Sequence, residues 1–133
     1  MIATSSRNSS LWLGWVLSVL VVVILLADAA VGLLAPHLIQ ETMQATGFSP
    51  ALATPLSLIM LGCAIIYAVP RTATLGAILI TAFCGGAICT HFRLGELASP
   101  PQIICLLLAV MAWGGLYLRD PRLRAVLPLR ITN

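Results

Sequence analysis

"LWLGWVLSVLVVVILLADAAVGLLA", residues 11–35, is an apolar run whose one charged residue is Asp28. A helix rises ~1.5 Å per residue, so about 20 such residues cross the ~30 Å hydrocarbon core of a bilayer, and this run is long enough to do so. Its "ADA" at 27–29 resembles a small-residue cleavage site. A secretory signal core runs only about 7–15 residues, however, and the continuation through "AVGLLAP" selects a full span. A carboxylate at bilayer depth costs several kcal/mol unless it is neutral, paired or kept for use. Asp28 is therefore a candidate functional group.

The whole chain has the same character. Hydrophobic residues make up 60 % of its 133 positions and charged residues 8 %, and the mean hydropathy is +1.06. A water-soluble domain carries about 25 % charged side chains, so this chain has too little polar surface to coat a soluble globule. Three further stretches approach the spanning length, at 51–69, 72–92 and 102–118. Backbone groups in lipid must be satisfied within their own segment, which makes each stretch a helix. The expected fold is an all-α integral membrane protein, one domain over 1–133, with a four-helix transmembrane bundle. Pro36, Pro50, Pro70, Pro100, Pro101 and Pro121 fall at the boundaries, and Pro55 falls in the first turns of the second span, where proline is tolerated.

Between the first two spans, "HLIQETMQATGF" sets Leu38, Ile39 and Met43 on one side of a short helix and Gln40, Glu41 and Gln44 on the other. That pattern predicts an interfacial helix lying flat over the outer end of the bundle. Four crossings place Arg7, Arg71, Arg119, Arg122, Arg124 and Arg130 on one side and Arg93 alone on the other. A 6 to 1 split orients both termini to the cytoplasm, and the expected location is the cell inner membrane. The basic tail has no interleaved aromatic residues, so it suits an anionic lipid surface better than nucleic acid.

Ala73, Ala77, Thr81, Gly85 and Cys89 recur every four residues along the third span, a small-residue ladder of the kind that lets helices approach closely. On this reading Gly85→Leu harms the fold more than Leu79→Ala. Equal depth in the other spans puts Ser57, Gly85 or Gly86, and Leu108 level with Asp28. Thr90, His91 and Arg93 lie nearer the outer surface. Asp28 is expected to face the bundle interior in its neutral form, in a pocket whose outer mouth is lined by His91. Asp28 and His91 are the candidate catalytic pair, and Ser57, Gly85, Gly86, Thr90 and Arg93 the candidate ligand-binding residues. Cys63, Cys84, Cys89 and Cys105 form no CxxC and lie within apolar spans, as buried cysteines acting as small hydrophobes do; no metal site is expected. Phosphate-loop, GxSxG and HExxH signatures are lacking.

The segments "PRTATLGAILITAFCGGAICTHFRLGE" (70–96) and "WGGLYLRDPRLRAVLPLR" (113–130) resemble the DoxX-like family of small bacterial membrane proteins, the likeness running from about Trp12 to Arg130. The resemblance implies a four-helix membrane bundle with an acid late in the first helix, here Asp28. It also implies a Pro-Arg-Thr start to the third helix, here Pro70, Arg71 and Thr72, and a Thr-His-x-Arg end, here Thr90, His91 and Arg93. Many relatives carry a lysine about a turn after the acid; Gly32 stands there in this chain, which has no lysine. The name-giving relatives look like subunits of a thiosulfate:quinone oxidoreductase, and more distant ones are thought to assist assembly of other membrane proteins.

Three function classes follow. The first is a membrane protein holding a lipophilic molecule, a quinone or another ring compound, in an outward-facing pocket as part of a redox system. No redox cofactor is encoded visibly, so electrons for quinone chemistry come from a partner membrane subunit. The second is an acid/base enzyme of the isomerase or epoxide-opening type using Asp28 and His91. The third is a structural or assembly role, with the ladder engaging a second copy or another membrane protein. The orientation is tested by reporter fusions at Asn133 and within 45–50. The arginine split predicts a cytoplasmic signal for the first and an external signal for the second; the reverse pattern contradicts it.

Overall fold

Proline and small residues set the architecture. In the computed structural model, which describes residues 3–127 with side chains from residue 8, helix α1 (Ala3–Leu34) ends before Pro36. It is followed by a 3-10 turn (Pro36–Ile39), α2 (Gln40–Ala45), a second 3-10 turn (Pro50–Leu52), α3 (Ala53–Ala68), α4 (Ala73–Arg93), α5 (Pro100–Arg119) and α6 (Pro121–Val126). Pro50, Pro100 and Pro121 each occupy a first helical turn, where no partner for a backbone N–H is needed. Among the described residues four helices are long and apolar enough to cross a membrane: Asn8–Leu34, Pro50–Ala68, Ala73–Arg93 and Pro100–Arg119. The protein is thus an all-helical, multi-pass membrane protein.

The four long helices form a ring. α1 packs on α3 and α5, and α4 packs on the same two, leaving α1 and α4 on one diagonal and α3 and α5 on the other. Short connections make neighbours antiparallel. One end of the bundle therefore carries Arg71, Arg119, Arg122 and Arg124, and the opposite end carries α2 and Arg93. The side chain of Arg7, together with Arg130 and Asn133, lies outside the described residues.

At the arginine-rich end the ring is joined through Tyr67, whose side chain is fully buried. Its hydroxyl donates to the Ala112 carbonyl of α5 at 2.8 Å and bonds Ser18 Oγ of α1 at 3.1 Å. Interhelical hydrogen bonds of this kind contribute roughly 0.6–2 kcal/mol each within a bilayer. Glycines make room for the knot. A Cβ at Gly76 would overlap the backbone of Tyr67, and one at Gly115 would approach Ser18 Oγ to 2.7 Å. Nearer the other end, a Cβ at Gly32 would overlap Ser57 Oγ, which fixes the crossing of α1 and α3.

The four-residue ladder does not run along one contact. A helix turns about 100° per residue, so each step of four drifts by about 40°, and Gly85 is roughly 120° away from Ala73. Ala73 and Ala77 are buried, whereas Thr81, Gly85 and Cys89 are exposed. The buried ridge of α4 instead follows Ala73, Gly76, Ala77, Ile80 and Cys84. Thr81 still bridges helices, accepting a 2.8 Å hydrogen bond from the Trp113 indole of α5. A Cβ at Gly85 meets nothing within 4 Å, which overturns the expectation that Gly85 is a close-packing position.

The interfacial segment is present, with one change of face. Ile39 and Met43 are half-buried and Thr46 is buried, but Leu38 is 64 % exposed. The 3-10 geometry of Pro36–Ile39 advances more per residue than an α-helix and rotates Leu38 off the packed side.

Two substitutions separate close packing from open surface. Gly76→Ala is expected to destabilise by about 1–3 kcal/mol, because the overlapped atoms are backbone and cannot yield. Gly85→Ala is expected to be neutral or stabilising by up to ~1 kcal/mol, since alanine is the better helix former. Melting temperatures in detergent check both; equal losses would contradict the packing described.

Candidate functional site

The exposed side of α4 has small residues at Ala82, Gly86 and Ala87, and beside them a cavity of about 370 Å³ opens between α4 and Leu56 of α3. Thr42, Met43 and Thr46, together with Phe48, roof it from the α2 segment, and Phe83, Thr90 and His91 complete its walls. A Cβ at Gly86 meets nothing within 4 Å, so the missing side chain leaves usable space rather than accommodating another helix. Gly47 at φ +77° ends the roof and turns the chain back towards α3.

The roof is tied down by α4. Arg93 Nη2 donates to the Thr46 carbonyl at 3.0 Å, and Thr46 Oγ1 donates to the carbonyls of Thr42 and Met43 at 2.8 and 3.0 Å. Arg93 thus acts on the cavity through the backbone of the roof.

His91 is the polar group with chemical potential in this wall. Its side chain is 12 % exposed, and its Nδ1 is 2.6 Å from Glu96 Oε2. A carboxylate only accepts, so Nδ1 carries the hydrogen and Nε2 remains free to accept in the neutral ring or to donate in the charged one. The hydrogen bond from His91 is the main cause that holds the Glu96 carboxyl below the usual carboxylate range. Gly95 at φ +79° and Ala98 at φ 57° curl the connection back so that Glu96 reaches the helix it follows. Gln102 closes the same turn: its Oε1 accepts from Ser99 N at 2.9 Å and its Nε2 donates to the Glu96 carbonyl at 3.3 Å.

Of the sequence-derived site residues, the fold brings Gly86, Thr90 and His91 to one cavity. Thr90 Oγ1 donates to the Gly86 carbonyl at 3.0 Å and so presents its methyl more than its hydroxyl hydrogen. Ser57 is buried at the α1–α3 crossing, and Gly85 faces outward. Asp28 departs most from expectation: it is exposed, does not line the cavity, and makes no hydrogen bond or ion pair among the described residues. The buried ridge of α1 runs through Ser18, Val21, Leu25 and Ala29; Asp28 is about 60° from Leu25 around the helix, on the shoulder of that ridge.

The four cysteines are free thiols. Among the described residues no group of three His, Cys, Asp or Glu side chains gathers to hold a metal. Sequence reading missed Glu96 and Thr46. The signal for Glu96 was present in its position just past the helix end, next to a glycine able to reverse the chain.

Residues 16–115 match the model of the DoxX-like family. No curated protein and no solved structure matches.

The His91–Glu96 pair predicts an acid limb in stability. Because the folded Glu96 carboxyl is depressed, its contribution is complete above the ordinary glutamate value near ~4.3 and is lost as pH falls through the folded value. The melting temperature of wild type should exceed that of Glu96→Gln at neutral pH, and the two should converge in acid. A difference that does not shrink as acid titrates the carboxylate would contradict the assignment.

Proposed function

This chain belongs to the DoxX-like family, and we propose that it binds a lipophilic small molecule, a quinone or another ring compound, in the cavity between α3, α4 and the α2 roof. The observation that carries this reading is the cavity itself. Its volume of about 370 Å³ falls within the ~300–1,000 Å³ of ordinary ligand pockets, and it combines apolar walls with a few convergent polar groups, as such pockets do. A flat ring can lie against the backbone at Gly86, with a carbonyl or hydroxyl directed to His91 Nε2. The roof then shields the ligand at the end of the bundle opposite the clustered arginines, which is the external face if those arginines are cytoplasmic and the membrane is the inner one. In a redox system, the electrons come from a partner subunit and this chain supplies the quinone site.

The His91–Glu96 pair supports a second reading, acid/base catalysis on the bound lipophile. A carboxylate that fixes the tautomer and orientation of an imidazole is a common arrangement for proton transfer. In this reading Glu96 orients His91, whereas the sequence paired His91 with Asp28 as acid and base.

Gly86→Leu tests the cavity directly, because a Cβ there meets nothing within 4 Å and the rest of the side chain is placed to occupy the cavity. Native mass spectrometry of detergent-purified protein with decyl-ubiquinone should show one bound molecule on wild type and ~tenfold less on Gly86→Leu, at an unchanged melting temperature. Equal retention by both proteins would place the ligand elsewhere and contradict the proposal.

A further inference from the structure

At the arginine-rich end, the guanidinium of Arg119 is drawn into the protein. It lies 4.6 Å from the ring centroid of Trp15 and 5.5 Å from that of Tyr67. Its Nε and Nη2 are buried and have no hydrogen-bond acceptor among the described residues. Aromatic faces attract the cation but accept no strong hydrogen bond, so two charged donors remain unsatisfied at a place where desolvation makes that costly.

A second cavity of about 370 Å³ adjoins this group, lined by Trp15, Arg71, Arg119, Asp120 and Arg122 among others. Three guanidinium groups face one carboxylate there, an excess of two positive charges. Asp120 does not neutralise them. Its Oδ1 accepts from the backbone N–H of Arg122 at 2.8 Å, capping α6, and no arginine makes an ion pair with a carboxylate among the described residues.

The clustering of arginines at one end is sufficient for orientation in the membrane, but orientation requires only exposed charge near the span ends. It gives no reason to bury two donors of Arg119 beside a cavity. Arg119 is the last residue of its membrane-crossing helix, and Trp15 is of the type enriched at the level of lipid headgroups.

We infer that this cavity binds a phosphate group, with Arg119 as the buried fork and Arg71 and Arg122 as the exposed rim. Guanidinium presents parallel N–H donors that match two phosphate oxygens. Phosphate supplies the acceptors that Nε and Nη2 lack and balances the local excess charge. Two sources share this chemistry, the headgroup of an anionic phospholipid and a soluble phosphate. The site is remote from the proposed lipophile cavity and independent of it.

The test is native mass spectrometry of the full chain released from vesicles of phosphatidylglycerol and phosphatidylcholine, with a parallel thermal-shift titration using inorganic phosphate. Arg71→Gln and Arg122→Gln alter the rim without touching the buried packing, and Arg119→Lys keeps the charge while removing the fork. Arg124→Gln is the charge-matched control, since Arg124 does not line the cavity and its Nη2 donates to the Leu118 carbonyl at 3.2 Å. Retention of phosphatidylglycerol over phosphatidylcholine that falls about tenfold in each rim variant, but not in Arg124→Gln, supports the site with lipid as its source. Phosphate-dependent stabilisation with the same pattern supports it with a soluble source. Equal loss in Arg124→Gln, or no loss in any variant, overturns it.

Discussion

The hydroxyl of Tyr67 must be satisfied inside a bundle that lies in lipid, and the rest of the structure accommodates that requirement. No water is available in the hydrocarbon region to take the place of a missing partner. The hydroxyl reaches Ala112 on α5 and Ser18 on α1, and these reaches draw three helices together. Gly76 brings α4 against the Tyr67 backbone. All four long helices thus converge at one end, and Arg119 is held over the aromatic rings that result.

The other end is left freer by the same geometry. Once Ala73, Gly76, Ala77, Ile80 and Cys84 are committed to the interior, the rotation of α4 turns Ala82, Gly86 and Thr90 towards the groove with α3, and their small size leaves the groove unfilled. The α2 segment covers it, fastened by Arg93 to the Thr46 carbonyl. A hydrogen-bonded knot around Tyr67 at one end and a roofed groove at the other are thus two consequences of one helix arrangement. Of the polar pair at that end, His91 in the last turn of α4 lines the groove, and Glu96 in the following turn holds its Nδ1.

The spans were legible because length and hydropathy alone determine what can cross a bilayer; 11–35 and 72–92 differ from the observed Asn8–Leu34 and Ala73–Arg93 by at most a few residues. The faces were much less legible. In a soluble helix, polarity marks the outside, but here lipid-facing Val19 and core-facing Val21 are chemically alike, so composition carries almost no angular information. Asp28 was read by depth, which says nothing about rotation, and it proved to lie on the shoulder of α1 rather than inside. Gly85 was read by a four-residue period that departs steadily from the 3.6-residue turn. Glycines with true close contacts, such as Gly32 and Gly76, differ from Gly85 and Gly86 only in what the fold sets against them. His91 was legible as a polar residue at a helix end, while its bond to Glu96 depends on a chain reversal at Gly95.

On the proposed function, a lipophile resides in the roofed groove between α3 and α4. Photoaffinity labelling in native membranes with a photoreactive quinone, followed by peptide mapping, tests it most directly. Label is expected within 42–48 and 82–91, displaced by excess unreactive quinone and absent from Gly86→Leu. Label spread along the exposed faces of α1 and α5, undiminished by competitor, would contradict it.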